Sequence, residues 1–226
     1  MSGVQASDGV LRGFGGELLK KLIRSVKSLQ KGDIGKIVSK RIKEFKVLGT
    51  KPAPELFKEL CFCILTANFN AERGIKIQKE LGRNFLEDKE IELALRLKKA
   101  GHRFPNTRAK YIVEARKHKN ILKDAIKKTG SEHELRDYLV KKVKGIGYKE
   151  CSHFLRNIGF YNCAIIDFHI VDILRDHKLI NPVKTMSKKI YLHIESVLSK
   201  LAKKLGLTLA ELDLYLWYLE TGKVLK

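Results

Sequence analysis

Apolar residues recur three and four positions apart along almost the whole chain after residue 16, and no stretch alternates strictly as a half-buried strand would. The expected fold is therefore all-α. Pro54 opens a segment in which Leu56, Phe57, Leu60, Cys61, Ile64 and Leu65 fall on helical spacing with little charge after Glu59, the pattern of a central, fully buried helix. Further helices are expected at about 72–81, 88–100 and 107–118, punctuated by Gly82, Gly101 and Pro105. Ser131-Glu132-His133-Glu134 has the form of a capping box ahead of Leu135, Tyr138, Leu139 and Val143, a helix expected to stop at Gly145. A new stripe runs from Tyr148 through Cys151, Phe154, Leu155 and Ile158 to Gly159, placed to close it in a left-handed conformation. Asp167 stands as an N-cap before Ile170, Val171 and Leu174. Two last helices follow, one from Ile190 to Leu205 and one capped by Thr208 and Glu211. Residues 1–16 carry five glycines and few large apolar groups and read as a flexible tail, leaving a folded body over 17–226.

Composition narrows the function. The chain has 226 residues, 44% of them hydrophobic, which is enough for a core and too much for a disordered basic chain. Its formal charge of +21 calls for an anionic partner. No apolar run approaches the ~20 residues that cross a bilayer, so the expectation is no membrane contact and a soluble protein of the cytoplasm or nucleoid. Cys61, Cys63, Cys151 and Cys163 form no C-x-x-C pair and sit mostly among apolar neighbours, which points to buried reduced thiols. The histidines have no zinc spacing, and no catalytic metal is expected.

The stretch richest in chemistry is Leu139-Val140-Lys141-Lys142-Val143-Lys144-Gly145-Ile146-Gly147-Tyr148-Lys149, a helix that breaks at Gly-Ile-Gly and restarts at once. Two glycines can take positive φ, and the backbone N–H groups of Lys144, Gly145, Ile146 and Gly147, with the first turn of the next helix, would face outward toward phosphate oxygens. Such a turn can also merely join helices; the net charge tips the reading toward a nucleic-acid backbone. Lys149 lies at a helix N-terminus among other cations, a field that disfavours its charged form and favours a nucleophilic amine. One short helix and a loop later, Asp167 could return to it, move a proton and steady positive charge on a sugar. Taken singly, each has an ordinary reading, a surface lysine and a helix cap.

The run from Lys144 to Asn157, followed by Ala164-Ile165-Ile166-Asp167-Phe168-His169, resembles the helix-hairpin-helix DNA glycosylase superfamily, and more closely its compact type-2 8-oxoguanine DNA glycosylase/AP lyases. Glu59 to Asn68, Arg103-Phe104 and the ending Trp217 to Lys226 support the likeness, which spans about residues 30–226. The resemblance implies a two-lobed helical fold with its site in the cleft between lobes and its hairpin at about 135–158. It implies Lys149 as a Schiff-base nucleophile, Asp167 as the essential carboxylate, Phe104 and Trp217 as faces sandwiching an extruded base, and Lys226 as the residue that tells oxidised guanine from guanine. On pattern alone, Trp217 reads as core and Lys226 as a solvated end. The implied reaction is excision of 8-oxoguanine from double-stranded DNA followed by β-elimination, performed by a monomer. Two departures stand out. The Gly159–Asp167 loop has no proline, and no four-cysteine run lies near the C-terminus, so no iron–sulfur cluster or other cofactor is expected, with the hairpin carbonyls left open to a monovalent cation. The rival readings are a glycosylase for another damaged base and a non-catalytic helix-hairpin-helix DNA-binding protein.

Overall fold

The computed structural model describes residues 16–226, whose regular structure is all helical, with no strand among them. Gly16, counted above with the tail, is the first residue of a helix; the rest of that tail lies outside the described residues. The helices are α1 (Gly16–Lys31), α2 (Asp33–Gly49), α3 (Ala53–Thr66), α4 (Ala71–Leu81), α5 (Asn84–Glu87), α6 (Glu90–Lys99), α7 (Pro105–Ala115), α8 (Ile121–Lys128), α9 (Glu132–Lys142), α10 (Tyr148–Asn157), α11 (Phe168–Asp176), α12 (Lys188–Leu205) and α13 (Leu209–Thr221). The chain divides into two compact units: one holds the described residues up to Arg41 together with Ile166–Val224, the other Ile42–Ile165 with Leu225 and Lys226.

In the larger unit α3 is the centre. From Phe57 through Leu65 its apolar side chains are wholly buried, as the absence of charge after Glu59 requires, and α4, α7 and α10 pack on it. Cys61 and Cys63 are free thiols in this core, and burial pushes both well above the usual thiol range, which leaves them inert. Helices α6 and α7 pack along each other through Leu93, Leu97, Ala109 and Ile112. Two short helices escape the periodicity reading, α5 and α8, each too brief to show a repeating stripe.

In the smaller unit α1, α12 and α13 come together, and α11 lies on α13. Helix α12 buries Tyr191, Ile194, Val197, Leu198, Leu201 and Leu205, the stripe expected from its spacing, and ends at Gly206 with φ +68°. Thr208 and Glu211 form the anticipated capping box: the hydroxyl accepts from the Glu211 N–H at 3.2 Å and the carboxylate accepts from the Thr208 N–H at 2.8 Å.

Candidate functional site

The hairpin is built by α9 and α10. Helix α9 begins on Ser131, whose hydroxyl accepts from the Glu134 N–H, and ends at Lys142, because Val143 is already extended. The helix thus stops short of Gly145. A fully buried arginine stitches the pair: Arg136 of α9 donates to the Ser152 hydroxyl of α10 at 3.1 Å and lies 4.8 Å from the centre of the Tyr148 ring. Only the first glycine of the turn uses a left-handed conformation. Gly145 has φ +91°, and a Cβ there would stand 2.3 Å from Tyr111 Cδ2 of α7, so both dihedral and space demand glycine.

Gly147 corrects the expectation for the phosphate cradle on two points. Its φ is −102°, and its N–H donates to Glu150 Oε2 at 3.0 Å, so this donor is spent on capping α10 from within. Ile146 is buried in the core, and Lys144, exposed at its tip, lies 3.6 Å from Glu114 and over the Tyr111 ring. Lys141 and Lys142 are exposed on the last turn of α9.

Lys149 stands in the first turn of α10, largely buried, with its Nζ 3.7 Å from Glu150 Oε1. The lysine does not meet cations alone, since the carboxylate that caps the turn also reaches its amine. One helical turn further along the same face is His153, whose neutral form is favoured by burial first and by Arg156 and Lys149 next. The His153 ring meets Phe62 edge-on at 5.4 Å, and the Lys226 ammonium lies over the same Phe62 ring. Lys226 is therefore brought to the Lys149 face of α10. Its ammonium is held tightly: it donates to Glu59 Oε1 and Oε2 at 3.1 and 2.8 Å and to Gln78 Oε1, and lies 4.3 Å from the centre of the Phe62 ring.

Phe104 is 37% exposed at the entry to α7, with the Arg103 and Arg108 guanidiniums over its ring. Its N–H donates to His102 Nδ1, and His102 Nε2 bonds to the Leu65 carbonyl, each at 3.0 Å. Only the neutral imidazole with its proton on Nε2 satisfies both, in keeping with the lowering of its pKa by burial. In the smaller unit, Asp167 caps α11 as expected, Oδ1 accepting from the Ile170 N–H at 3.0 Å. Two residues on, His169 meets the Trp217 ring at 4.9 Å, stacks beside the exposed Phe168 and lies 3.5 Å from Glu220. The structure thus groups Lys149, His153, Lys226 and Glu59 in one unit, and Asp167, His169 and Trp217 in the other.

A family model described as 8-oxoguanine DNA glycosylase matches residues 38–207. The chain belongs to the 8-oxoguanine DNA glycosylase family. It is 52% identical to the 8-oxoguanine DNA glycosylase/AP lyase of Methanocaldococcus jannaschii, over 91% of this chain and 99% of that protein, and 50% identical to the one of Korarchaeum cryptofilum, over 91% and 98%. A crystal structure of the Methanocaldococcus jannaschii glycosylase/lyase bound to a 15mer DNA containing 8-oxoguanine superposes with a TM-score of 0.89 at 51% identity, covering 91% of this chain and all of that one. The 8-oxoguanine DNA glycosylase of Thermotoga maritima gives 0.87 at 43% identity, over 92% and 100%. Glu59, His153 and Asn157 stand in the runs that carry the resemblance but have no task assigned from sequence, and Gln78 lies outside those runs. The available signal was a carboxylate set at the head of the uncharged run Leu60–Thr66, which once buried demands a cation or donors from elsewhere in the chain.

Proposed function

We propose that this protein is a bifunctional 8-oxoguanine DNA glycosylase/AP lyase with Lys149 as nucleophile. The observation that carries the assignment is the seating of Lys149 in the first turn of α10, directly behind the hairpin and one turn from His153, whose ring shares Phe62 with the Lys226 ammonium. An amine placed there stands beside a backbone-gripping turn and a residue able to read a base edge.

A lesion inside a duplex hides its glycosidic bond, so the nucleotide must leave the stack at a cost of a few kcal/mol. The Lys149 amine, in its neutral form, attacks the sugar C1′. The C1′–N9 bond breaks, and the electron pair leaves with the base, which is protonated. Asp167 steadies the positive charge that develops on the sugar. The bound amine then loses its proton and opens the ring to an imine. That imine acidifies C2′–H, and removal of the proton expels the 3′ phosphate, cutting the strand. Glu150, 3.7 Å from Lys149, is placed to take a proton from the ammonium before attack. Phe104 and Trp217 face the extruded base, while the main-chain oxygen of Lys226 accepts from the N7–H that 8-oxoguanine has and guanine lacks.

Borohydride reduction of the imine tests residue, reaction and substrate together. Wild type incubated with an 8-oxoguanine duplex is expected to give a covalent protein–DNA adduct, and Lys149→Gln none. An adduct of undiminished yield in the variant would show that another amine performs the chemistry; no adduct in wild type would favour a binding protein.

A further inference from the structure

Lys226 can offer a base either its ammonium or its main chain, and the structure shows which of the two is spent. An ammonium has three donor hydrogens. Around this one stand three acceptors, both oxygens of Glu59 and Oε1 of Gln78, with the Phe62 ring beneath it. No donor is left for a ligand. Glu59 is itself 2% exposed and held from the other side: Asn157 Nδ2 donates to Oε1 at 2.6 Å and Gln78 Nε2 to Oε2 at 3.0 Å. Asn157 in turn accepts from Arg156 through its Oδ1 at 3.1 and 3.0 Å, so a second cation backs the carboxylate through an amide. This is a closed network that ties α3, α4 and α10 to one side chain, and a buried charge so completely bonded is rigid. His153, one turn from Lys149, meets the same Phe62 ring edge-on, which sets Lys226 beside the Lys149 face of α10.

We propose that Glu59 is a positioning residue for base selection: with Gln78 it stakes the Lys226 ammonium in the core, so that the Lys226 main chain, and not its charge, is presented to the base at the Lys149 face of α10. The inference rests on the glycosylase reading above and assigns its selectivity to a carboxylate that touches neither base nor sugar. Neutralising the carboxylate removes the charge that holds the stake while keeping its shape. The readout must separate reading a base from cutting a strand, because β-elimination at an abasic site has no base to read.

The test is Glu59→Gln in the full chain, assayed under single turnover on duplexes carrying 8-oxoguanine, guanine, or a ready-made abasic site. The preference for 8-oxoguanine over guanine is expected to fall at least tenfold, with strand cleavage at the abasic site within twofold of wild type. Glu59→Asp, which keeps the charge, should recover part of the preference. Combining Glu59→Gln with Lys226→Met should lower preference no further than Lys226→Met alone, since one acts through the other. Retained preference in Glu59→Gln, parallel loss of both activities, or multiplying effects in the double variant would each overturn the proposal. Should Glu59→Gln fail to fold, Gln78→Met takes its place: it removes one acceptor from the ammonium and one donor from Glu59, and unchanged preference in it refutes the stake. If wild type itself leaves 8-oxoguanine intact, it is the glycosylase reading that fails, whereas a competent wild type matched by the variants sinks only this inference.

Discussion

The hairpin turn offers a perturbation whose cost can be taken apart. In Gly145→Ala the new Cβ meets Tyr111 at 2.3 Å from Cδ2, 2.7 Å from Cγ and 3.0 Å from Cβ, on a residue with φ +91°. The left-handed backbone costs an alanine about 1–2 kcal/mol, and repacking around an added group in a filled site costs about 1–3 kcal/mol. Together they give about 3 kcal/mol, or a fall in Tm of roughly 6–12 °C for a chain of this length. Tyr111→Ala separates the two contributions, because it removes the two nearest atoms and leaves the dihedral cost. Against a Tyr111→Ala background, alanine at 145 should therefore cost only about 1–2 kcal/mol. Denaturant titration of the four proteins measures this, and fluorescence anisotropy with an undamaged duplex should show weaker binding in step, since the turn's donors move with the clash. A loss under about 0.5 kcal/mol in the single variant, or the same full loss in both backgrounds, would refute the steric account.

Asp167 serves as a cap whatever its chemistry, so two substitutions divide its roles: Asp167→Asn keeps a cap oxygen and should hold stability within about 0.5 kcal/mol while excision falls at least about 100-fold, whereas Asp167→Ala should lose excision and about 1 kcal/mol as well. Equal activity in wild type and Asp167→Asn would remove the carboxylate from the mechanism. Stability should also depend on acid. His102, His118 and His153 all have pKa values lowered from 6.5, chiefly by burial, so below that pH the unfolded chain binds more protons than the folded one. Their contribution is complete above pH 6.5 and is lost as pH falls beneath it, by up to about 1.4 kcal/mol per pH unit for each of the buried His102 and His153 that stays neutral in the fold, and by less for the half-buried His118, which water screens. Thermal melts from pH 8 to pH 5 check it; a flat profile would contradict the burial of neutral imidazoles.

Long helices were legible because their stripes are long. The spacing of Leu56 to Leu65, Ile190 to Leu205 and the caps Ser131, Asp167 and Thr208 all reappear as helices and cap bonds. Helices α5 and α8 were not, since a single turn or two carries no period. At the site, Gly145 followed from the chemistry of a sharp turn, but Gly147 did not: a glycine's need for positive φ is a property of its surroundings, and here Glu150 uses the position for a cap instead. The Glu59 network was invisible for a different reason. Residues 59, 78, 157 and 226 are far apart in the chain, and hydrogen bonding between such positions leaves no periodic trace.

Helix α10 has a glycine contact at each end. At its start lies Gly145 against Tyr111; at its finish, a Cβ on Gly49 of α2 would stand 2.1 Å from the Ile158 carbonyl oxygen, and one on Gly159, with φ +93°, 3.1 Å from Lys46 Cα. Main chain thus lies against main chain beyond the C-terminus of the helix, and a side chain closes off the turn before its N-terminus, with no slack for sliding along its axis. The Lys149 amine is mounted on a fixed pivot: whatever rearrangement admits a nucleotide must be absorbed by rotation about the lysine's own methylene bonds or by other parts of the fold.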